Sequence, residues 1–150
     1  MIFFYAIISA QNQEEVIVMR LWHKDLIEYL PKLQLVAQWR ELNSIYVHQN
    51  NHILINYIYT YPKEYLLSYS NCIINEMKKR GIKINSYLNY TKYFKGIEQI
   101  DNLKFKEHDD DYLKICYYNL YEKYLRGQKD FSENIFSRLN IYINNRIVLK

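Results

Sequence analysis

Residues 31–46 read PKLQLVAQWRELNSIY. Leu35, Trp39, Leu42 and Tyr46 recur at i, i+4, i+7 and i+11, one stripe of a 3.6-residue period, and Val36 widens it. Pro31 suits a first helical turn, where its missing N–H leaves no bond unmade. Arg40, Glu41, Ser44 and His48 fall off the stripe, toward the other side. A second helical pattern runs from Pro62 to Arg80, with Leu66, Ile73, Ile74 and Met77 on its apolar face. Lys78-Lys79-Arg80 followed by Gly81 marks its C-terminus: cations by the free carbonyls, then a residue able to turn left-handed. A third begins at Asp109-Asp110-Asp111, carboxylates that cap free N–H groups, and continues through Leu113, Cys116, Tyr117, Leu120 and Tyr124 to Arg126-Gly127. Residues 52–61, HILINYIYTY, are rich in β-branched side chains, but no partner strand is evident, so they read as a buried helical or extended packing segment. The tail holds one short helix over residues 132–140. The expectation is an all-α fold: a single compact domain of three main helices, with an N-terminal leader at 1–18, the domain at 19–130 and a short C-terminal extension at 131–150.

Composition narrows the function. Of 150 residues, 49% are hydrophobic and 24% charged, which fits neither a disordered chain nor a membrane bundle. With three Gly and two Pro, a barrel of many short strands and a glycine-rich phosphate loop are both disfavoured. Two Cys, at 72 and 116, cannot build a zinc cluster or a disulfide framework and read as buried thiols. The net charge of +4 is compatible with an anionic partner. Seventeen of the 25 aromatic residues are Tyr; Tyr, Ile, Asn and Lys share AT-rich codons, and this abundance follows from base composition more simply than from a stacking surface.

Residues 1–10, MIFFYAIISA, are apolar but short of the roughly 20 residues a bilayer span needs, and no Lys or Arg precedes them as in a signal peptide. Gln13-Glu14-Glu15 can be encoded by a purine-rich, ribosome-binding-like sequence three codons before Met19. The expectation is that 1–18 are translated upstream DNA and that the natural start is Met19. Without Glu14 and Glu15 the net charge would be two units more positive.

No HExxH, CxxC, GxSxG or Walker pattern occurs. The four His, at 23, 48, 52 and 108, are scattered, so no metal and no nucleotide cofactor is expected. Two segments carry more. Residues 19–27 read MRLWHKDLI and residues 35–42 read LVAQWREL. Together they resemble the pyrimidine-dimer DNA glycosylases of the phage endonuclease V type, and more closely their small bacterial members that begin MRLWH. The likeness continues through His52, Asn56-Tyr57 and Glu76–Gly81 and ends weakly at His108 and Tyr112-Leu113.

The resemblance implies a DNA-repair glycosylase with AP-lyase activity on pyrimidine dimers or related lesions. Its nucleophile is the α-amine of the mature first residue, which attacks the sugar C1′, displaces the base and forms a Schiff base; β-elimination then nicks the strand. Carried over, the catalytic residues are Met19 and Glu41. DNA contacts are expected from Arg20, Arg40 and His23, with Lys78, Lys79 and Arg80 as further phosphate contacts. The expected partner is damaged double-stranded DNA, met by a cytoplasmic monomer that does not use a membrane. Three features differ from the phage type. Arg20 follows Met19, so Met19 itself bears the amine; Ser44 stands where the family has an arginine; and residues 47–51, VHQNN, carry no Lys or Arg.

The chemistry is coherent. An α-amine has a reference pKa of about 8, against about 10.4 for Lys, so roughly a few hundred-fold more of it is neutral at pH 7. The neutral amine is the nucleophile, and an adjacent carboxylate can accept a proton and stabilise a cationic sugar. With residues 1–18 attached, the Met19 nitrogen is a peptide amide and cannot form an imine. The alternative reading is a non-catalytic helical nucleic-acid-binding protein of the same fold, held to its partner by salt-sensitive contacts from the same basic residues.

Overall fold

The computed structural model describes residues 19–147, which are helical with no strand. Five α-helices follow one another: α1 Lys32–His48, α2 Lys63–Lys79, α3 Leu88–Tyr93, α4 Asp110–Leu125 and α5 Glu133–Arg146. Two 3₁₀ turns, Lys24–Tyr29 and Asn56–Thr60, lead into α1 and α2. The all-α reading holds; the 52–61 segment forms a 3₁₀ turn at Asn56–Thr60 but is buried only at Ile55 and Ile58, with Ile53 and Tyr59 exposed, because a single short turn offers one apolar side to the core. The domain has four substantial helices where three were expected, because α5 runs on to Arg146 instead of ending near Asn140. The proposed leader lies outside the described residues.

Helix ends follow their sequences. Pro31 sits just before α1, its carbonyl accepting from Leu35 N at 3.0 Å. Asp109 caps α4 by accepting from Tyr112 N at 2.9 Å. At the far end of α4, Gly127 takes φ +82°, a conformation that costs a residue with a Cβ, and closes a double turn: Gly127 N donates to Tyr124 O and Gln128 N to Lys123 O. That turn returns Gln128 to α1, where its amide and that of Gln34 bond each other reciprocally at 2.7 and 3.0 Å.

α1 packs against α2 and α3, and α5 against α4 and the first 3₁₀ turn. Leu35, Leu42, Ile45, Ile73, Met77, Leu113, Cys116, Leu120, Leu139 and Ile143 are essentially buried. Trp22 and Trp39 are core residues too, and Trp39 meets Tyr46, Tyr87 and Tyr90 in a ring cluster between α1 and α3. Cys116 is buried as expected; Cys72 is only half-buried, a correction to the sequence reading. α5 is held by Arg146, whose guanidinium reaches Asp25 at 2.8 Å and Asp110 at 3.2 Å.

Two buried histidines join the ends of the domain. His108 Nδ1 accepts from Lys24 N at 3.1 Å, so its neutral ring carries the proton on Nε2, 2.8 Å from Tyr57 Oη. Its ring stacks against His23 at 5.4 Å between centroids. Burial, then the charges of His23 and Lys104, hold the His108 pKa down to about 3, and burial lowers that of His23 as well. A second ring proton would also set one N–H against another at Lys24. The unfolded chain protonates His108 near pH 6.5 and the folded one only near 3, so its contribution to stability is present above 6.5 and is lost as pH falls toward 3. Urea unfolding between pH 4.5 and 3.5 should show a steeper acid loss for the wild type than for His108→Gln, by about 1.4 kcal/mol per pH unit. Equal slopes would contradict this account of His108.

Candidate active site

The segment Met19–His23 is non-helical and passes through the interior, and Met19 and Leu21 are buried. A backbone without helix or strand must find its hydrogen bonds elsewhere. Here most come from side chains of other elements. Trp22 N donates to Gln38 Oε1 at 2.8 Å, and Gln38 Nε2 donates to Arg20 O at 3.0 Å. The Tyr112 hydroxyl donates to Leu21 O at 2.5 Å, and Tyr69 Oη lies 2.7 Å from Trp22 O and 2.8 Å from Gln38 Oε1. The second Gln38 N–H reaches Glu41 Oε1 at 3.1 Å. Gln38 is wholly buried; both N–H groups of its amide are used, and its oxygen accepts from Trp22 N. One side chain thus ties the start of the segment, Tyr69 of α2 and the Glu41 carboxylate into one unit.

Glu41 opens onto a pocket of about 430 Å³. Its walls are Arg20, Trp22, Gln34, Ala37 and Arg40 on one side, and Asn119 and Lys123 of α4, one helical turn apart, with Gln128. Three cations and one carboxylate face this space. The Arg20 guanidinium lies 5.9 Å from the Tyr112 ring centroid, and Arg40 is exposed. Burial pushes the Glu41 carboxyl up to about 7, against the pull of Arg40 and Arg20. At neutral pH it is therefore divided between acid and base forms, the condition under which one group gives and takes protons readily.

Arg20, Arg40 and Glu41 line this one pocket, and Gln38 bonds both Arg20 O and Glu41; Met19, next to Arg20 in the chain, is buried and is not among the pocket's walls. The remaining expected contacts do not join them. His23 is fully buried, its Nδ1 accepting from Asp25 N at 3.1 Å, and has no surface to offer a DNA strand. Arg80 is committed inside the fold: it pairs with Glu76 at 2.7 Å and donates to Leu30 O at 2.7 Å and Glu28 O at 3.1 Å, closing the end of the first 3₁₀ turn. Lys78 and Lys79 are exposed on α2, and Lys79 lines a separate cleft with Glu28 and Arg138. Ser44 bonds Asn50 at 3.0 Å.

Two site residues escaped the sequence reading. Gln38 lies three residues after Leu35 and four before Leu42, a polar residue on an apolar face, which is the signal of a satisfied buried amide. Lys123 lies three after Leu120 and seven after Cys116, on the edge of the α4 core stripe. Among the described residues no group of three His, Cys, Asp or Glu is placed to hold a metal ion, and no helix is long and apolar enough to cross a membrane.

Residues 19–89 match the family model of the pyrimidine dimer DNA glycosylases. The matched stretch includes Met19, Arg20, Gln38, Arg40 and Glu41; Lys123 lies beyond it. No curated protein and no solved structure matches the chain.

Replacing Gln38 by Leu strands Trp22 N and Arg20 O in the interior, and should lower unfolding stability by about 2 kcal/mol. A loss under about 0.5 kcal/mol in urea titration would remove Gln38 from this role. Glu41 behaves oppositely. Its folded pKa lies above that of an ordinary carboxyl, so its contribution is fully present below pH 4.5 and declines as pH rises through 7. Glu41→Gln should therefore gain stability over the wild type between pH 4.5 and pH 8, by about 2 kcal/mol allowing for partial solvent screening. Thermal unfolding of both proteins at the two pH values checks this; a difference that does not change with pH contradicts it.

Proposed function

We propose that the pocket beside Glu41 receives the sugar of a damaged nucleotide, and that the protein is a DNA-repair glycosylase with associated AP-lyase activity. The observation that carries this reading is the placement of a partly buried carboxyl, its pKa raised by burial, in a pocket lined by Arg20, Arg40 and Lys123, and tied through one amide to residues 20 and 22 of a segment that matches the pyrimidine dimer glycosylases. In a chain whose first residue is Met19, the α-amine attacks C1′ of the damaged nucleotide. The C1′–N bond breaks and the base leaves with the electron pair. Opening of the sugar ring gives an imine. Glu41 assists ring opening as an acid and then, as a carboxylate, takes a C2′ proton. The C3′–O bond breaks and the phosphate leaves, nicking the strand. Arg20 and Arg40 hold the flanking phosphates, which fix the register of the strand without reading its bases. The duplex is distorted or a nucleotide extruded to bring C1′ within reach. Such a reaction belongs with genomic DNA, in the cytoplasm of a bacterial cell.

The test is borohydride trapping with duplex DNA carrying an abasic site or a cyclobutane dimer. A chain beginning at Met19 should give a covalent adduct, and Glu41→Gln should cut turnover at least 100-fold. Arg40→Ala should weaken DNA binding at all sequences and reduce the slope of log affinity against log salt by about 1. Salt-sensitive binding by a folded protein that never traps an adduct would replace this reading with the non-catalytic DNA-binding module.

A further inference from the structure

In the 150-residue chain the Met19 nitrogen is a peptide amide, and its lone pair is delocalised into the carbonyl. An amine-bearing residue nevertheless lines the pocket. Lys123, in the last turn of α4, borders the same space as Glu41, Arg20, Arg40 and the small Ala37. No hydrogen bond or ion pair among the described residues engages its ammonium, whereas Arg80, Arg126 and Arg146 each hold a carboxylate. The carbonyl of the same residue accepts from Gln128 N in the turn at Gly127, and Gln128 is bonded to Gln34 of α1; the base of Lys123 is thereby anchored across the pocket.

We infer that Lys123 is a second nucleophile of this pocket, the amine that condenses with the C1′ aldehyde of an abasic nucleotide when Met19 is internal. The inference rests on reading the pocket as a sugar site. The neutral amine adds its lone pair to the open-chain aldehyde carbon; the carbinolamine loses water to give the imine. A C2′ proton passes to the Glu41 carboxylate, the C3′–O bond breaks with departure of the phosphate, and water hydrolyses the conjugated imine to return the amine. No oxidant or reductant enters. Burial lowers the Lys123 pKa from the ordinary lysine value, and Arg20 adds to this while Glu122 opposes it. This increases the neutral fraction that attack requires. An arginine at this position would keep the charge and the phosphate affinity but could not form an imine.

The experiment uses the 150-residue chain, an abasic duplex and borohydride, with peptide mapping of the trapped protein. The expected result is an adduct on Lys123, reduced at least 20-fold in Lys123→Arg while DNA affinity stays within about threefold. An adduct on another amine, undiminished in Lys123→Arg, overturns the inference. So does trapping by a chain beginning at Met19 with none by the 150-residue chain, an outcome that leaves the preceding functional reading standing. Absence of trapping from both chains removes both readings.

Discussion

The hydrogen bonding of one buried amide organises the domain. Residues 19–23 have no regular secondary structure, yet they run through the interior, where unpaired backbone groups cost about 1–3 kcal/mol each. Gln38 meets that requirement for Arg20 and Trp22; Tyr69 and Tyr112 meet it for Trp22 and Leu21. Because the second N–H of the same amide reaches Glu41, the group that secures the fold also fixes the carboxylate. Any displacement of α1 relative to residues 20–22 would break a core bond and move the site at once. Stability and positioning are therefore not separable at Gln38, and a site held this way is rigid before substrate arrives.

The electrostatics follow from that placement. Partial burial raises the Glu41 carboxyl, while Arg20 and Arg40 pull in the other direction, and the balance lies near neutrality. A carboxylate on the open face of a helix would stay ionised and could not act as an acid. Full burial without the arginines would keep it protonated and useless as a base. In the proposed reaction the same arginines would hold the flanking phosphates, so one pair of side chains would serve binding and proton transfer together. Glu41 thus carries a stability cost above neutral pH that a purely structural residue would not, the usual sign of a group held for chemistry.

Much of the architecture was legible in the residues. The stripes of α1, α2 and α4, the Asp109 cap and the glycines at 81 and 127 are local signals, and the local physics wrote them plainly. α3 was not legible: six residues are too few to establish a period, and Tyr87 and Tyr90 owe their place to packing on Trp39. The length of α5 was missed because its final turn is secured by Arg146 reaching Asp25, 121 residues away in the chain. The Arg40-Glu41 pair stood out only through its resemblance to a family; by composition it is an ordinary polar step on a helix. The burial of His23 and the internal commitment of Arg80 depend on partners such as His108 and Leu30 that no short window contains. Lys123 was hidden for the same reason, since its neighbours across the pocket, from Arg20 to Glu41, lie 82 to 103 residues upstream.

The central claim is that the space between Glu41 and α4 is where a nucleotide sugar sits. A crystal structure of the protein with a duplex containing a tetrahydrofuran abasic analogue tests it most directly. The account predicts the furan ring in this pocket, within hydrogen-bonding reach of the Glu41 carboxylate, with flanking phosphates on Arg20 and Arg40. A duplex bound with the furan ring elsewhere, for instance against the exposed Lys78 and Lys79 of α2, would contradict it.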